Sequence, residues 1–156
     1  MGNVPDDQPM GHFDKWWYRK AVSPFNGKAD SFNGRADNTP LMSAAGRAHM
    51  NLRDLVAYGR MHLEGERGAN SFLKAETWQR LHKPVADGYA YGWIVENNNG
   101  DGRNIWHNGS NTLWYSLLMI CLDLNVVLVF TTNSGAINKA EIAFFRAFDQ
   151  ISAQLN

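Results

Sequence analysis

Two apolar runs, Leu113 to Leu122 and Val126 to Phe130, are joined only by Asp123-Leu124-Asn125. A connection this short leaves no room for a crossover, so the runs are predicted to be antiparallel neighbours in one sheet. Apolar residues fill nearly every position of both runs rather than alternate ones. Strands of that kind need cover on both faces, which excludes a sheet with one side open to water. The chain must therefore supply layers around this hairpin, as an α+β domain does.

The segments before and after it fit that plan. Tyr89 to Glu96 reads as a strand, the run Asn97 to Gly102 is a dense turn signal, and Asn104 to Ser110 reads as the next strand. An antiparallel meander of about four strands results. Asn138, with Glu141 three residues on, is predicted to cap a terminal helix. Ile142, Phe145, Phe148, Ile151 and Leu155 would give that helix one apolar face to lay on the sheet. Further upstream, Asn51 is a predicted N-cap with Asp54 in the first turn. Leu52, Leu55, Val56, Gly59 and Leu63 follow at helical spacing, and Gly65 would end the run. A second short helix is expected from Lys74 to His82, carrying Trp78 and Leu81, with Pro84 as its stop. The expected organisation is an irregular, aromatic-bearing segment over 1–43, a small helical subdomain over 44–84, and over 85–156 the sheet with the terminal helix packed on it.

Length and charge narrow the function. A chain of 156 residues suits one domain with a real core, and its formal charge of zero gives no sign of a nucleic-acid or acidic-membrane partner. The single cysteine, Cys121, sits within an apolar run, reads as a small buried hydrophobe and has no internal disulfide partner. The first residues, Met1 to Pro9, have neither a basic start nor an apolar stretch, so no signal peptide is expected there. The longest apolar run, about ten residues, is too short to span a bilayer. His12, His49, His62 and His82 lack the spacing of metal ligands and are expected at the surface or in packing.

The stretch that points to chemistry is Trp106-His107-Asn108-Gly109-Ser110-Asn111-Thr112. A glycine inside a strand gives up packing and strand stability, and is useful where another backbone or a ligand must come close. His107, two residues earlier, can change charge near neutral pH. The plain alternative is a strand histidine satisfied by hydrogen bonds. Trp106 and Trp114 could wall a pocket or pack a core, Asn111 could offer its amide to a substrate or close a turn, and Asp54 is a cap before it is a catalyst.

The order of these pieces resembles the carboxy-terminal part of the serine β-lactamase-like and penicillin-binding protein family, in the branch of class C β-lactamases, D-alanyl-D-alanine carboxypeptidases and related esterases. The resemblance rests on Ala44 to Gly59, Phe72 to Trp78, Tyr89 to Trp93, His107-Asn108-Gly109, the hairpin ending Thr131-Thr132-Asn133, and the final helix. Residues 1–40 are similar only loosely, through Gln8-Pro9-Met10-Gly11-His12. Enzymes of this kind use Ser-x-x-Lys, then Tyr-x-Asn or Ser-x-Asn, then Lys/His-x-Gly on a strand. The resemblance implies that His107 stands where a lysine is often found, orienting a substrate carboxylate or relaying a proton. It implies that Asn108, Gly109 and Asn111 line the substrate, and that the Ser110 backbone N–H is an oxyanion-hole donor. It implies acyl transfer on an amide or ester through an acyl-enzyme, with no cofactor and no metal.

The first two elements are not found in their family places. Ser71-Phe72-Leu73-Lys74 fits Ser-x-x-Lys as a string and Ser31-Phe32-Asn33 fits Ser-x-Asn, but their order is reversed and their spacing differs. Ser71 reads as part of a helix start and Ser31 as part of a loop. No Tyr-x-Asn occurs. The expectation is a carboxy-terminal part of a serine hydrolase, inert alone, whose partner is a nucleophile-bearing amino-terminal half or, through an exposed sheet edge, another copy. The alternative is a non-catalytic binding or interaction module derived from the same fold. Substrate and compartment stay open, although the family is often exported in bacteria.

Overall fold

The computed structural model describes residues 9–15, 18–22, 38, 40–69, 72–98 and 102–155. Its elements follow in the order β1 (Gly11–Lys15), β2 (Tyr18–Val22), α1 (Ser43–Gly46, after a 3-10 turn at Pro40–Met42), α2 (Leu52–Glu66), α3 (Ala75–Leu81), β3 (Ile94–Asn98), β4 (Gly102–Ser110), β5 (Tyr115–Cys121), β6 (Val126–Thr132) and α4 (Ile137–Leu155). Strands β3-β4-β5-β6 form one sheet in chain order, and β1-β2 form a separate ladder. Ile94 lies opposite Trp106 and Asn98 opposite Gly102, which sets the antiparallel register of β3 on β4. The fold is α+β, with a four-stranded antiparallel sheet and a carboxy-terminal helix, as the hydrophobic pattern requires.

The described residues gather into two compact units, one drawn from 1–50, 109–116 and 131–151 and the other from 51–108, 117–130 and 152–156. The second unit holds a core of Leu63, Ala90, Trp93, Val95, Ile105, Leu118, Ile120 and Leu122, with Leu55, Val127 and Val129 packed against it. Helix α2 opens as the sequence predicts. Asn51 Oδ1 accepts the Asp54 N–H at 2.9 Å, and the Asn51 amide donates to the Asp54 carboxylate at 2.9 Å. One first-turn backbone N–H is thus satisfied, and the two side chains brace each other. Its end differs from the expectation. Gly65 lies inside the helix, and Gly68 is the residue in the left-handed region, at φ +72°. The Gly68 N–H donates to Gly65 O at 3.0 Å and the Ala69 N–H to Glu64 O at 2.9 Å, the paired bonds of a Schellman stop. Gly65 serves contact instead: a Cβ there would fall 2.4 Å from the Trp78 ring. Helix α3 is therefore seated on α2 through an indole that only a bare backbone can accept.

Ahead of β3, Asp87, Gly88 and Gly92 all take positive φ, so Tyr89 to Trp93 is a tight turn closed by a Tyr89–Ile94 bridge, and the strand starts at Ile94. Strand β5 is buried along almost its whole length, with Leu117, Met119, Ile120 and Cys121 at or near zero exposure. Both faces are covered, as its unbroken apolar run demanded. Cys121 is a buried free thiol.

In the first unit, α4 begins at Ile137, one residue before the expected cap, and Ser134 Oγ accepts the Ala136 N–H at 3.2 Å just ahead of it. The buried stripe is Ala140, Phe144, Phe148 and Ser152, whereas Ile142, Ile151 and Leu155 are exposed. The expected face shared Phe148 with this stripe but drew its other members, Ile142, Phe145, Ile151 and Leu155, away from Ala140 and Phe144. The helix carries two apolar stripes, and the four-residue repeat through Phe144 and Phe148 is the one that finds cover. Tyr115, at the start of β5, donates its hydroxyl to the Glu141 carboxylate on α4 at 3.0 Å. Within residues 11–22 the β1–β2 ladder pairs Gly11 with Val22 and Lys15 with Tyr18, a pairing that no period in the sequence announces. No helix among the described residues is long and apolar enough to cross a membrane.

Candidate active site

Strand β4 leaves the core as it approaches its end. Ile105, His107 and Gly109 share one face of the strand by the two-residue alternation. Ile105 is fully buried, while His107 and Gly109 are exposed. A Cβ built on Gly109 would meet no described atom within 4 Å. The glycine is therefore not demanded by packing at this position, and it leaves a clear strip of backbone beside the imidazole. Asn108 is half-buried on the opposite face.

The turn that follows is braced. Ser110 Oγ donates to Trp114 O at 2.8 Å and accepts the Thr112 N–H at 2.9 Å. Asn111 Oδ1 accepts from the N–H groups of Leu113, at 3.3 Å, and Trp114, at 3.1 Å. The Ser110 hydroxyl is thus engaged in holding the turn, and the Asn111 carbonyl oxygen closes it. Thr112 is held at φ +75°, a region that β-branched residues seldom enter. Its carbonyl lies against Gly135, where an added Cβ would fall 2.3 Å from Thr112 O and 2.8 Å from His12 O.

His12 ties a further segment to this turn. Its N–H reaches Asn133 O at 2.8 Å and Leu113 O at 3.3 Å, and its carbonyl accepts the Gly135 N–H at 2.7 Å. Its ring Nδ1 lies 2.9 Å from Asn133 O, and the Asn133 amide donates to Met10 O at 2.9 Å. The Trp114 indole N–H donates to Pro9 O at 3.1 Å, so this tryptophan packs against the Pro9 to Gly11 segment. Both neighbours of Gly135 here are rigid backbone, and Gly135→Ala is expected to cost about 1–3 kcal/mol of overpacking. Thermal unfolding should show a Tm lower by roughly 3–10 °C at this chain length. An unchanged Tm would mean that the close approach does not exist.

Ser71 and the Ser31-Phe32-Asn33 string lie outside the described residues, as do Gln8, Trp16 and Trp17. Among the described residues no group of three or more His, Cys, Asp or Glu side chains is arranged so that it could hold a metal ion. His49 is exposed. The sequence did not disclose that His62 and His82, 20 residues apart, meet in the interior with their ring nitrogens at 2.8 Å. The usable signal was the position of His62, one helical turn from both Gly59 and Glu66 on the buried face of α2.

A family model described as Beta-lactamase matches residues 3–148 of the chain. The chain belongs to the β-lactamase family. No curated protein and no solved structure matches it.

Proposed function

We propose that this chain forms one wall of the acyl-transfer cleft of a β-lactamase-family serine hydrolase, in which the Ser-x-x-Lys and Tyr-x-Asn elements are supplied by another segment. The observation that carries this reading is the end of β4, where an exposed imidazole and a glycine with open space beside it emerge from the core into a braced turn. His107 would orient a substrate carboxylate or pass a proton, and Gly109 would let the acyl group lie along the strand. Asn108 and Asn111 would border the substrate. The Ser110 N–H would be one of two donors to the oxyanion, the other coming from the nucleophile's own N–H. Loss of one such donor costs on the order of 100-fold to 1,000-fold in rate. The braced turn supports this role, because a donor that must meet developing charge works best when it does not have to reorganise.

The substrate class is an amide or ester, attacked by the serine hydroxyl with formation of an acyl-enzyme that water then hydrolyses. Peptidoglycan peptides, β-lactams and simple esters all suit such a cleft. Labelling with a fluorescent penicillin and with a fluorophosphonate tests the assignment. The 156-residue chain by itself is expected to remain unlabelled, because none of its residues is placed as the nucleophile. The same reagents should label the serine of Ser-x-x-Lys when the chain is joined to the segment that bears it. Labelling of Ser71 in the chain alone would overturn the assignment.

A further inference from the structure

A hydrogen-bonded chain of three titratable side chains is buried between α2 and α3, and the acyl-transfer reading makes no use of it. His82 Nδ1 lies 2.6 Å from Glu66 Oε2, and His82 Nε2 lies 2.8 Å from His62 Nδ1. The His82 side chain is 0% exposed and that of Glu66 8%, and His62 as a whole is 5% exposed. Arg103, from β4, donates to the other oxygen of Glu66. Around His62 stand Tyr58, Trp78 and Trp93, with ring centroids 4.6, 4.8 and 4.9 Å away.

Proton counting on these contacts gives a strict result. An ionised carboxylate only accepts, so His82 Nδ1 must carry a proton. The contact between the two imidazoles then needs one donor and one acceptor. With both rings neutral, His62 Nδ1–H donates to His82 Nε2. With one added proton, one ring is an imidazolium that donates across the contact and the other ring accepts. With two added protons, both nitrogens at the 2.8 Å contact are donors and no hydrogen bond can exist there. The pair tolerates one charge and rejects the second.

We infer that Glu66, His82 and His62 form an acid-released clasp, which holds α3 on α2 near neutral pH and lets it go when both imidazoles are protonated. The groups facing the clasp do not relieve the second charge. Trp78 from α3 and Trp93 from the turn before β3 are uncharged. Tyr58, on α2, has its phenol pushed up by burial and stays neutral throughout. Among the described residues that face the clasp, the one anion is Glu66, already shared by His82 and Arg103. Burial pushes the Glu66 carboxyl up, but hydrogen bonds from His82 and Arg103, with the charge of Arg103, outweigh it and hold it below the usual range. The released segment would be α3 and the turn after it, because Trp78 and His82 are its anchors on α2.

Burial first, and the neighbouring His82 charge second, push His62 down to about 4. A histidine lowered on folding contributes stability that is full above its unfolded value near 6.5 and is lost as pH falls toward 4. Linkage over that interval makes closure on the order of thirty-fold weaker at pH 5 than at pH 7.5. Hydrogen exchange read by peptide mass spectrometry, corrected for the intrinsic rate at each pH, is the direct test. Protection over Ala75–Leu81 is expected to fall by about ten-fold or more relative to that over Tyr115–Cys121 between these pH values. A smaller selective loss, or equal loss in both segments, would overturn the inference. His62→Asn keeps a polar group at the Nδ1 position without the titration, and should abolish the selective loss; persistence of the loss would also overturn it. Should that variant not fold, proton NMR of the wild-type His62 ring decides instead: a midpoint below about 5.5 supports the clasp, and one at or above that value refutes it.

Discussion

Trp78→Ala is expected to cost about 3–5 kcal/mol, the usual range for truncating a large buried aromatic. The indole is 2% exposed and lies against Gly65, in a notch that no side chain could share. Its ring also meets those of His62 at 4.8 Å and His82 at 6.4 Å. Deleting it opens a cavity beside the histidine chain and removes the main apolar anchor of α3, a seven-residue helix too short to persist unaided. The urea midpoint should fall by roughly 1–5 M, given slopes of about 1–3 kcal/mol per M for small domains. Trp78→Phe should recover most of the loss, because the buried indole N–H has no hydrogen-bond partner among the described residues and its removal relieves an unsatisfied donor. If alanine and phenylalanine variants unfold together, the loss is not one of packing volume. If neither moves the midpoint, α3 is not seated through Trp78 at all.

The same notch shows where the sequence was readable and where it was not. Local rules act over a few residues and leave local marks, so the Asn51 cap, the stop ahead of Pro84 and the buried hairpin were all legible from pattern. Gly65 was misread as a terminator because a helix-stop glycine and a contact glycine look alike in sequence. Only Trp78, 13 positions on, tells them apart, and Gly68 carries the left-handed φ that the stop needs. The face of α4 failed for a related reason. Phe148 was placed correctly, but Ile142, Ile151 and Leu155 are as apolar as Phe144, and helical periodicity offers both stripes without ranking them. Residues 11–15 and 18–22 pair as strands that no period in the sequence marks, and the backbone partners of His12 (Leu113, Asn133 and Gly135) lie far along the chain.

The candidate site divides along the same line. His107 and Gly109 could be picked out because a histidine and a glycine are anomalous at the end of a strand, and anomalies are local. That the strand face becomes exposed between Ile105 and His107 depends on where the core stops, which no window of sequence reveals. Asn111 had two readings of equal standing from sequence, and its carbonyl oxygen is engaged with the Leu113 and Trp114 N–H groups. The histidines taken one at a time promised only surface or packing. The proximity of His62 and His82 comes from α3 folding back on α2, which is a tertiary fact.

Gly109→Ala separates a glycine kept for a substrate from one kept for the fold. The added methyl meets no described atom within 4 Å, so the folded state has room for it. Alanine also removes the excess freedom that glycine has in the unfolded chain, so stability should hold or rise by up to about 1 kcal/mol. Under the proposed function, that methyl occupies the strip along which the acyl group must lie. A displacement of about 1 Å at a reacting centre can cost on the order of 100-fold in rate, so kcat/KM of the complete hydrolase should fall by about that factor while its Tm does not fall. Gly109→Val should lose more activity, since the branched side chain reaches further over the same strip, and His107→Ala should lower kcat without lowering Tm. A stability loss on Gly109→Ala would assign the glycine to the scaffold. Full activity in both Gly109 variants would mean that no substrate runs beside this strand, and the cleft would have to lie elsewhere on the molecule.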